Sequence, residues 1–441
     1  MSSINLLLNN INRTNLYIMR TKLLFTAVAL VMMASCNSDE PSIKGDNPAG
    51  PDGPQVVNPN WVLTDNINLS TAEKNTVSAL GGFNDKLMAE LAAESEDGSF
   101  CASPLSISLY LGMLANSCQG DAQAQIVDAL GCGNLDEYNA LSTKLLKYLP
   151  SEATGSRMQI ANHIWVADRY TVPKTFVSKM ADVFNAGVDY VNFAKTSTFE
   201  SINKWASTNT NGIIDELIPE TQWKSLSGSQ MFSANAVYFQ GKWIEEFNKS
   251  LTSSDIFYSP QGNVSVPTMH KESTMHYAKN EKAEMVIMQF SGSINQLEIY
   301  LPAKDVAVKD IASVINSSER KNLSAKLSLC DVTLALPSYT TDNEVNMNEV
   351  LNRIGIKSIN AVNLSPMGIP ESFPMLVNHK VVMQVNEKGA EMAAVTGGLV
   401  TAPGNEGTPA KVTMTVNRPF MYIVRNNLTN TILVAGVVTR P

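Results

Sequence analysis

Histidines are the residues of this chain best suited to acid–base chemistry or metal binding, and the sequence holds His163, His270, His276 and His379. An imidazole can activate a serine nucleophile or ligate a metal ion. None of the four has a partner at ligand spacing, and the chain lacks Gly-x-Ser-x-Gly, His-Glu-x-x-His, Gly-x-Gly-x-x-Gly and Cys-x-x-Cys motifs. The sequence therefore predicts neither a catalytic reaction nor a cofactor or metal site.

A segment near the C-terminus has the composition of a substrate segment that another protein could bind or cleave. Val385 to Ala410 contains Glu387, Lys388 and Glu391, followed almost entirely by small side chains and glycines. Small residues suit a flexible linker. They also suit a bait that a protease cuts and that must afterwards fit into a narrow space. The composition by itself leaves both interpretations open.

Residues 1–36 are predicted to be a targeting segment that starts at Met19. A charged start at Arg20 precedes an apolar run, Leu23 to Ala34, and small residues lead up to Cys36. This arrangement resembles a bacterial lipoprotein signal, in which the cysteine is freed by cleavage and modified with lipid. The alternative is an ordinary secretory signal with an incidental cysteine.

The lipoprotein resemblance also implies a location. It implies a lipid anchor at Cys36 in the bacterial envelope, with the outer membrane as the expected membrane. The acidic Ser-Asp-Glu sequence directly after the cysteine is similar to short signals that send some lipoproteins to the outer surface. Exposure on the cell surface, or an extracellular location, is therefore a further expectation.

The remaining chain is predicted to consist of a tether and one large domain. Residues 37–68 are rich in Pro, Gly, Asn and Asp, which cannot bury a core, and are predicted to be a flexible tether. Residues 69–441 show no internal linker, repeat or charge block. The net charge of −8 argues against a nucleic-acid partner. The other four cysteines lack paired spacing and are expected to be buried thiols: Cys101, Cys118, Cys132 and Cys330.

The domain mixes helix and strand patterns. Ser70 is placed to cap a helix, Pro104 can begin another, and the stretch from Asp121 to Gly133 ends on glycine, as helices often do. Strand patterns dominate later, in the segments 159–167, 231–240, 297–302, 332–337, 380–385, 412–416, 420–425 and 431–438. Because the two types intermix without a regular βαβ period, the sequence predicts an α+β fold.

Several motifs, in the right order, resemble the serpin family of protease inhibitors. Asn-Arg-Pro-Phe at 417–420, flanked by apolar residues, fits the family's C-terminal motif, and Val385 to Gly397 matches the family hinge. Further matches stand upstream in the family's order: SPLSIS at Ser103, ANHIWV at Ala161, INKWASTNTNGII at Ile202, NAVYFQGKW at Asn235 and LPSYTTDNEVNMNEVLNRIGI at Leu336. The resemblance covers nearly everything from about residue 75 to the end.

This resemblance implies a fold of three β-sheets and eight or nine helices, with an exposed reactive-centre loop, in a monomer. It implies a suicide-substrate inhibitor of serine endopeptidases, with cysteine endopeptidases as a further target class. The protease cleaves the loop and forms an acyl-enzyme, and the freed part of the loop inserts as a strand into the central sheet and traps the enzyme. The uncleaved fold must be kinetically trapped, because the inserted form is more stable.

The family register implies a hinge that runs from Glu387 and Gly389 to Thr396. Alternate side chains of an inserted strand point inward, and the inward set is Ala390, Met392, Ala394 and Thr396, with Glu391, Ala393 and Val395 between them. Three of the inward residues are small, which suits insertion without burial of charge. Met392 is larger than usual: its thioether can adapt, but it could also slow insertion.

A second group is implied to govern the opening of the sheet. By family match, Ser103, Ser106, Asn235 and His379 sit behind the middle of the central sheet and hydrogen-bond across the strands that part. Neutral donors and acceptors can re-pair during this movement, at about 1 kcal/mol net each. Trp243 matches an aromatic residue at the end of the sheet where insertion starts. Plain core packing is the alternative role for all five residues.

The reactive bond is expected within Val400, Thr401, Ala402 and Pro403. The family's usual spacing lands on Ala402 or Pro403, but a proline on either side of the bond deters most serine proteases. Cleavage one or two residues earlier would suit elastase-like or subtilisin-like enzymes. No Lys or Arg lies between Lys388 and Lys411, which argues against trypsin-like targets.

Three functions compete at this point. The first is an inhibitory serpin anchored to a membrane. The second is a non-inhibitory serpin that binds or carries another molecule, which the bulky Met392 and the awkward Pro403 favour. The third is an enzyme, for which the sequence offers no catalytic set.

Overall fold

The computed structural model of the protein describes residues 58–94, 99–151, 155–370, 372–375, 377–390 and 409–441. Ten α-helices lie in these ranges: α1 (Thr71–Glu94), α2 (Pro104–Ser117), α3 (Asp121–Leu130), α4 (Leu135–Tyr148), α5 (Lys174–Phe184), α6 (Thr196–Asn209), α7 (Glu220–Leu226), α8 (Val308–Ala312), α9 (Arg320–Ser324) and α10 (Met347–Arg353). The count exceeds the expected eight or nine because α8 and α9 are helices of only 5 residues each. None of the described helices is both long and apolar enough to cross a membrane.

The sequence-based helix boundaries are confirmed where capping residues mark them. Ser70 and Glu73 cap α1 reciprocally, since the Ser70 N–H donates to the Glu73 carboxylate (2.7 Å) and the Glu73 N–H donates to Ser70 Oγ (3.2 Å). Helix α2 begins at Pro104, after Ser103 as N-cap. Helix α3 ends at Leu130, and its C-cap Gly131 has a φ of 67°, a conformation that glycine adopts without strain.

The strands of the described chain form three sheets, as expected. They are β1 (Phe100–Ala102), β2 (Arg157–Ala167), β3 (Ala186–Val191), β4 (Met231–Lys242), β5 (Ser253–Phe257), β6 (Val264–Lys279), β7 (Ala283–Gln289), β8 (Asn295–Pro302), β9 (Ser328–Pro337), β10 (Tyr339–Asn346), β11 (Val362–Asn363), β12 (Ser372–Phe373), β13 (Asn378–Asn386), β14 (Gly389–Ala390), β15 (Ala410–Thr415), β16 (Phe420–Asn426) and β17 (Thr431–Val438).

Two of these sheets are large. A nine-stranded sheet has the order β1-β17-β16-β8-β7-β6-β9-β15, with β5 paired to β6. A six-stranded sheet has the order β10-β13-β14-β4-β2-β3, and β11 pairs with β12 in a small third sheet. The α+β prediction is confirmed, since strands of both large sheets come from distant parts of the chain.

Helix α2 lies at the centre of the core. Every residue of Pro104–Ser117 is buried, and the helix packs against β17 of the nine-stranded sheet and β4 of the six-stranded sheet. A mostly apolar helix of this kind is covered on every side by other elements. Its N-terminus therefore sits between the two large sheets, where Ser103 can reach both.

The segment before α1 contacts the domain and corrects the predicted tether. Asn58 Nδ2 donates to Asp182 Oδ1 (2.9 Å), and the Thr64 N–H donates to the Lys147 carbonyl (2.9 Å). Trp61 packs against the core. Residues 58–68 are therefore held on the domain, although the tether was predicted to reach residue 68. The prediction was based on the polar composition of this segment, but burial of one aromatic ring stabilises the contact more than the polar residues oppose it. The rest of the tether and Cys36 lie outside the described residues.

The four cysteines of the domain are confirmed as buried free thiols. Burial raises the pKa of the Cys118 thiol to about 12. A buried thiol with a raised pKa is a poor nucleophile, so Cys118 offers no reactive site.

Candidate functional site

The six-stranded sheet contains a strand of only two residues, β14, between two long strands. β13 turns back at Glu387 and Lys388 into the two-residue strand β14, which lies between β13 and β4. Gly389 is opposite Lys242, and Ala390 is opposite both Gly241 and Val385. Beyond Ala390 no strand of the described chain joins β4 to β13. Among the described residues, β14 therefore pairs with β4 and β13 only at the end of these strands near Lys242 and Val385.

Trp243 holds the turn between β13 and β14. Its backbone N–H donates to the Lys388 carbonyl (3.1 Å), and its indole Nε1 donates to the Asn386 carbonyl (3.0 Å). The ring stacks on Phe290, with centroids 4.7 Å apart and an interplanar angle of 9°. A buried indole anchored in this way fixes the position of the hairpin relative to the end of β4.

Glu387 ties the same turn to the nine-stranded sheet. Its carboxylate accepts a hydrogen bond from Thr252 Oγ1 at 2.8 Å, and its carbonyl accepts one from the Phe247 N–H at 2.9 Å. Thr252 directly precedes β5. The backbone bond is worth about 1 kcal/mol net and the bond to the carboxylate about 1.5–3 kcal/mol, so the turn at Glu387 is held by two modest interactions.

Two glycines allow β14 to lie against β4. Gly389 has a φ of 153°, and a Cβ at this position would lie 2.2 Å from the Gly241 carbonyl oxygen. A Cβ on Gly241 would meet the Phe290 ring at 2.6 Å. Glycine is required at both positions because the two backbones and the ring approach so closely.

Alternate side chains of β13 and β4 share one face of the sheet below β14. On the β13 side the inward residues His379, Val381, Met383 and Val385 are buried. On the β4 side the matching residues Asn235, Val237 and Phe239 are half-buried. Strand alternation puts both sets on the face that Ala390 occupies. The surface is apolar near β14 and becomes polar at Asn235 and His379.

Ser103 connects His379 to the core. The Ser103 N–H donates to His379 Nε2 (3.0 Å), and Ser103 Oγ donates to the Leu433 carbonyl in β17 (2.6 Å) while it accepts from the Ser106 N–H (3.1 Å). Burial lowers the pKa of His379 from 6.5 to about 4. The imidazole is therefore neutral at physiological pH, as its role as an acceptor requires.

Asn235 and His379 line the same small cavity. The cavity, of about 30 Å³, is lined by Ser106, Tyr110, Asn235 and His379, among others, and has room for about one water molecule. Asn235 Nδ2 donates to Asn162 Oδ1 on β2 (2.6 Å). Its own Oδ1 is buried and has no hydrogen-bond partner in the described part of the chain.

The sequence predicted that Ser103, Ser106, Asn235 and His379 form one group. The structure identifies the hydrogen-bond partners of these residues. Ser106, Asn235 and His379 line one cavity, and Ser103 bonds to His379. The expected hydrogen bonds across the parting strands are not observed within the described residues, because Asn235 pairs with β2 instead of β13. Glu391 to Thr396, the reactive-bond residues Val400 to Pro403, and Cys36 lie outside the described residues.

Three residues of the site were not identified from the sequence. Asn162 holds Asn235, Phe290 stacks on Trp243, and Thr252 binds Glu387. The antiparallel pairing of β2 with β4 places Asn162 opposite Asn235, so the pairing of two strand predictions could have found it. Phe290 and Thr252 come from distant segments, and no local pattern marks them.

The fold and this site define an α+β class with three β-sheets, in which the short strand β14 lies between β4 and β13. The family model described as serpin, serine protease inhibitor, matches residues 78–441. The chain belongs to the serpin family. Members of this family generally inhibit serine proteases and are not enzymes.

Named relatives agree with this assignment along nearly their whole length. Human neuroserpin is 26% identical over 380 residues, which cover 82% of this chain and 91% of neuroserpin. The native state of tengpin, a thermophilic serpin, aligns with a TM-score of 0.74 and 26% identity over 85% of this chain and 96% of tengpin. Thyroxine-binding globulin in complex with thyroxine shares the fold, with a TM-score of 0.71 and 22% identity over 83% of this chain and 99% of the globulin.

Proposed function

We propose that the chain inhibits serine endopeptidases as a suicide substrate, by inserting its cleaved reactive loop between β4 and β13. The observation that carries the proposal is β14, where Gly389 and Ala390 already pair between these strands. Strands that lack a neighbour along their facing edges are ready acceptors for a further strand. Cysteine endopeptidases are a further target class, since they also form acyl-enzymes.

The register of β14 supports the predicted inward set. If the pairing continued without a shift, Met392 would lie between Phe239 and Met383, and Thr396 between Asn235 and His379. The Thr396 hydroxyl could then donate to Asn235 Oδ1, which has no partner in the described part of the uncleaved chain. Insertion would satisfy a buried acceptor and extend the strand pairing, and both changes favour the inserted form.

The sequence of the loop favours elastase-like or subtilisin-like targets. Small or β-branched residues surround the bonds from Val400 to Pro403, and no Lys or Arg lies between Lys388 and Lys411. We propose cleavage after Val400 or Thr401, since both bonds avoid a proline on either side. Mass spectrometry of the released C-terminal fragment identifies the bond directly.

The inhibitory proposal is tested by incubation with pancreatic elastase and with subtilisin. We expect a complex that survives SDS and a melting temperature of the cleaved chain well above that of the intact chain, because the intact form is kinetically trapped. Trypsin is the control and should give no complex. Cleavage by all enzymes without a complex, and without thermal stabilisation, would rule out trapping.

A non-inhibitory binding or carrier function is the second candidate. Met392 would meet two large side chains, Phe239 and Met383, in the inserted register, and crowding there disfavours insertion. The fold is also that of thyroxine-binding globulin, whose structure contains thyroxine. Cleavage without a trapped complex would favour this candidate.

We propose that Cys36 carries a lipid that anchors the protein in the bacterial envelope, in the outer membrane and exposed at the cell surface. The support is the sequence from Arg20 to Cys36 and the acidic residues that follow. In the native host, Cys36→Ala should move the protein out of the membrane fraction and leave protease inhibition unchanged. A wild-type protein already free of lipid would contradict the anchor.

A further inference from the structure

The irregular segment between β4 and β5 holds the turn that leads from β13 into β14. Residues 244–248 lie in no helix or strand, yet the Phe247 N–H donates to the Glu387 carbonyl in that turn (2.9 Å). A backbone hydrogen bond restrains its partner only as firmly as its own segment is held. The contacts that hold residues 244–248 therefore bear on how readily the turn at Glu387 opens.

Two side chains of β6 fix this segment at Glu245. Lys271 Nζ donates to the Glu245 carbonyl and lies 3.3 Å from the Glu245 carboxylate. Ser273, two residues further along β6, donates through its Oγ to the same carboxylate (2.7 Å). Lys271 therefore binds both the backbone and the side chain of one residue in a segment that has no regular structure of its own.

The ammonium group of Lys271 also lies over the ring of Phe247, with Nζ 5.6 Å from the ring centroid. A cation at this distance from an aromatic face is attracted to it. The buried Phe247 ring in turn meets the Trp243 ring edge-on, with centroids 6.5 Å apart. Phe247 and Trp243 donate backbone hydrogen bonds to the Glu387 and Lys388 carbonyls. Lys271 thus supports the two residues that hold the turn.

The burial of Lys271 separates it from the other lysines that form ion pairs in the described chain. Only 13% of its side chain is exposed, whereas the others are 44–61% exposed. Burial lowers the pKa of Lys271, and the Glu245 carboxylate opposes this change. Because lysine is almost never buried unless it is paired, its position indicates a specific contact and not a solvated surface charge.

We propose that Lys271 is a positioning residue for loop insertion. It holds Glu245 and Phe247 against β6, and this segment keeps the turn at Glu387 closed until the reactive loop is cut. Loss of the ammonium group frees the segment and lets the turn open more often. The inference rests on the proposed inhibitory function, because it gives the turn the role of a restraint on insertion.

Hydrogen exchange on the intact, full-length chain tests the restraint without a protease. Lys271→Met keeps an apolar stem of similar length beside Phe247 but removes the charge. Exchange of the Phe247 N–H should accelerate about tenfold, the scale of one hydrogen bond to a charged group, while the amides of β17 exchange as in wild type. Lys279→Met is the matched control, since Lys279 lies on the same strand in a mostly exposed pair. It should leave exchange at Phe247 unchanged.

Two conservative variants separate positioning from general stability. Lys271→Arg keeps the charge and can donate to both the carbonyl and the carboxylate of Glu245, so it should restore wild-type exchange at Phe247. Glu245→Gln keeps the carbonyl acceptor and should accelerate exchange less than Lys271→Met does. Equal acceleration at Phe247 and in β17, or no recovery in Lys271→Arg, would overturn the positioning role.

Elastase then tests whether the restraint acts on insertion. During incubation before the protease is added, Lys271→Met should lose its capacity to form the SDS-stable complex several-fold faster than wild type, because a hinge that opens more often inserts before it is cut. Lys271→Arg and Lys279→Met should lose it at the wild-type rate. Faster exchange with an unchanged rate of loss would overturn the role in insertion.

The two levels of the proposal fail in different ways. If the wild type forms no complex with any protease, the inhibitory function fails by itself. If the wild type traps elastase but exchange of the Phe247 N–H is unchanged in Lys271→Met, the positioning role alone is overturned.

Discussion

The backbone N–H of Ser103 donates to Nε2 of His379 across 3.0 Å, and this bond joins the N-cap of the central helix to β13, which pairs with β14. Ser103 Oγ reaches the Leu433 carbonyl in the other large sheet. One residue therefore links both sheets at the N-terminus of α2. The link depends on a neutral imidazole, because a protonated Nε2 cannot accept a hydrogen bond.

Acid should weaken the uncleaved fold through His379. Burial lowers its pKa from 6.5 to about 4, so between these values the unfolded chain binds the extra proton and the folded chain does not. The associated stability is complete above about pH 6.5 and is lost as the pH falls towards 4, by about 2 kcal/mol between pH 7.5 and pH 5. Melting temperatures measured at the two pH values give the difference.

The control for this prediction is His379→Gln. The Gln amide oxygen can accept from the Ser103 N–H but does not titrate. The variant should be somewhat less stable at pH 7.5 and lose less stability than wild type at pH 5. An equal loss in both proteins would assign the acid sensitivity to other groups.

Local patterns predicted the elements of this fold, and contacts between distant segments decided the rest. Strand segments such as 231–240 and 431–438 were found because strand alternation and β-branched residues are visible in any short window. The partners of Glu387 and Trp243 could not be predicted in this way. Thr252 contacts Glu387, and Phe290 contacts Trp243, only after the chain has folded. The direction of the Asn235 bond, towards β2, likewise depends on strand order.

Gly389 is expected to be indispensable for the start of the inserted strand. Its φ of 153° and the 2.2 Å approach of a Cβ to the Gly241 carbonyl make any side chain costly, by about 1–3 kcal/mol. In Gly389→Val the pairing of β14 with β4 should break, and hydrogen exchange at Ala390 should accelerate. Gly228→Val is the control, because nothing lies within 4 Å of a Cβ there. Unchanged exchange in Gly389→Val would show that β14 tolerates a side chain.

Glu298 should contribute more to stability than any surface carboxylate. It is fully buried and accepts bonds from Arg320 (2.8 Å) and from Arg425 (3.2 Å). Burial opposes ionisation, but the two guanidinium groups lower its pKa to about 2. Glu298→Gln removes the buried negative charge that Arg320 and Arg425 bond, and should cost about 3–5 kcal/mol in chemical unfolding. Glu94→Gln, in a surface pair with Arg353, should cost less than about 1 kcal/mol. Similar losses in both variants would contradict the prediction.

Met392→Ala is expected to improve inhibition. In the register set by β14, residue 392 would lie between Phe239 and Met383, and a smaller side chain would enter more easily. Fewer molecules should be cleaved for each protease trapped, as measured by titration of elastase followed by SDS gel analysis. Met392→Leu keeps the volume and should behave like wild type. If more Met392→Ala molecules than wild-type molecules were cleaved for each protease trapped, the methionine would favour insertion.

Thr396 gives the sharpest test of the register. Continued pairing would place it inward between Asn235 and His379, next to the cavity of about 30 Å³. An arginine there would bury a charge beside an imidazole that is neutral and a serine backbone that is already bonded. The cost is expected to be several kcal/mol, and insertion would have to absorb it within the lifetime of the acyl-enzyme.

Thr396→Arg should therefore be cut between Val400 and Pro403 as wild type is, yet release active protease and behave as a substrate. Two variants separate charge from the loss of the hydroxyl. Thr396→Ser keeps a donor for Asn235 Oδ1 and should inhibit like wild type. Thr396→Val keeps the shape but leaves that acceptor unpaired, and should raise the thermal stability of the cleaved form less than wild type does, by about 1–3 kcal/mol. Glu391→Arg is the control for charge, since residue 391 would face outward in the same register. If Thr396→Arg traps elastase as well as wild type while Glu391→Arg does not, the register is shifted by one residue; if both trap it fully, the loop does not insert between β4 and β13.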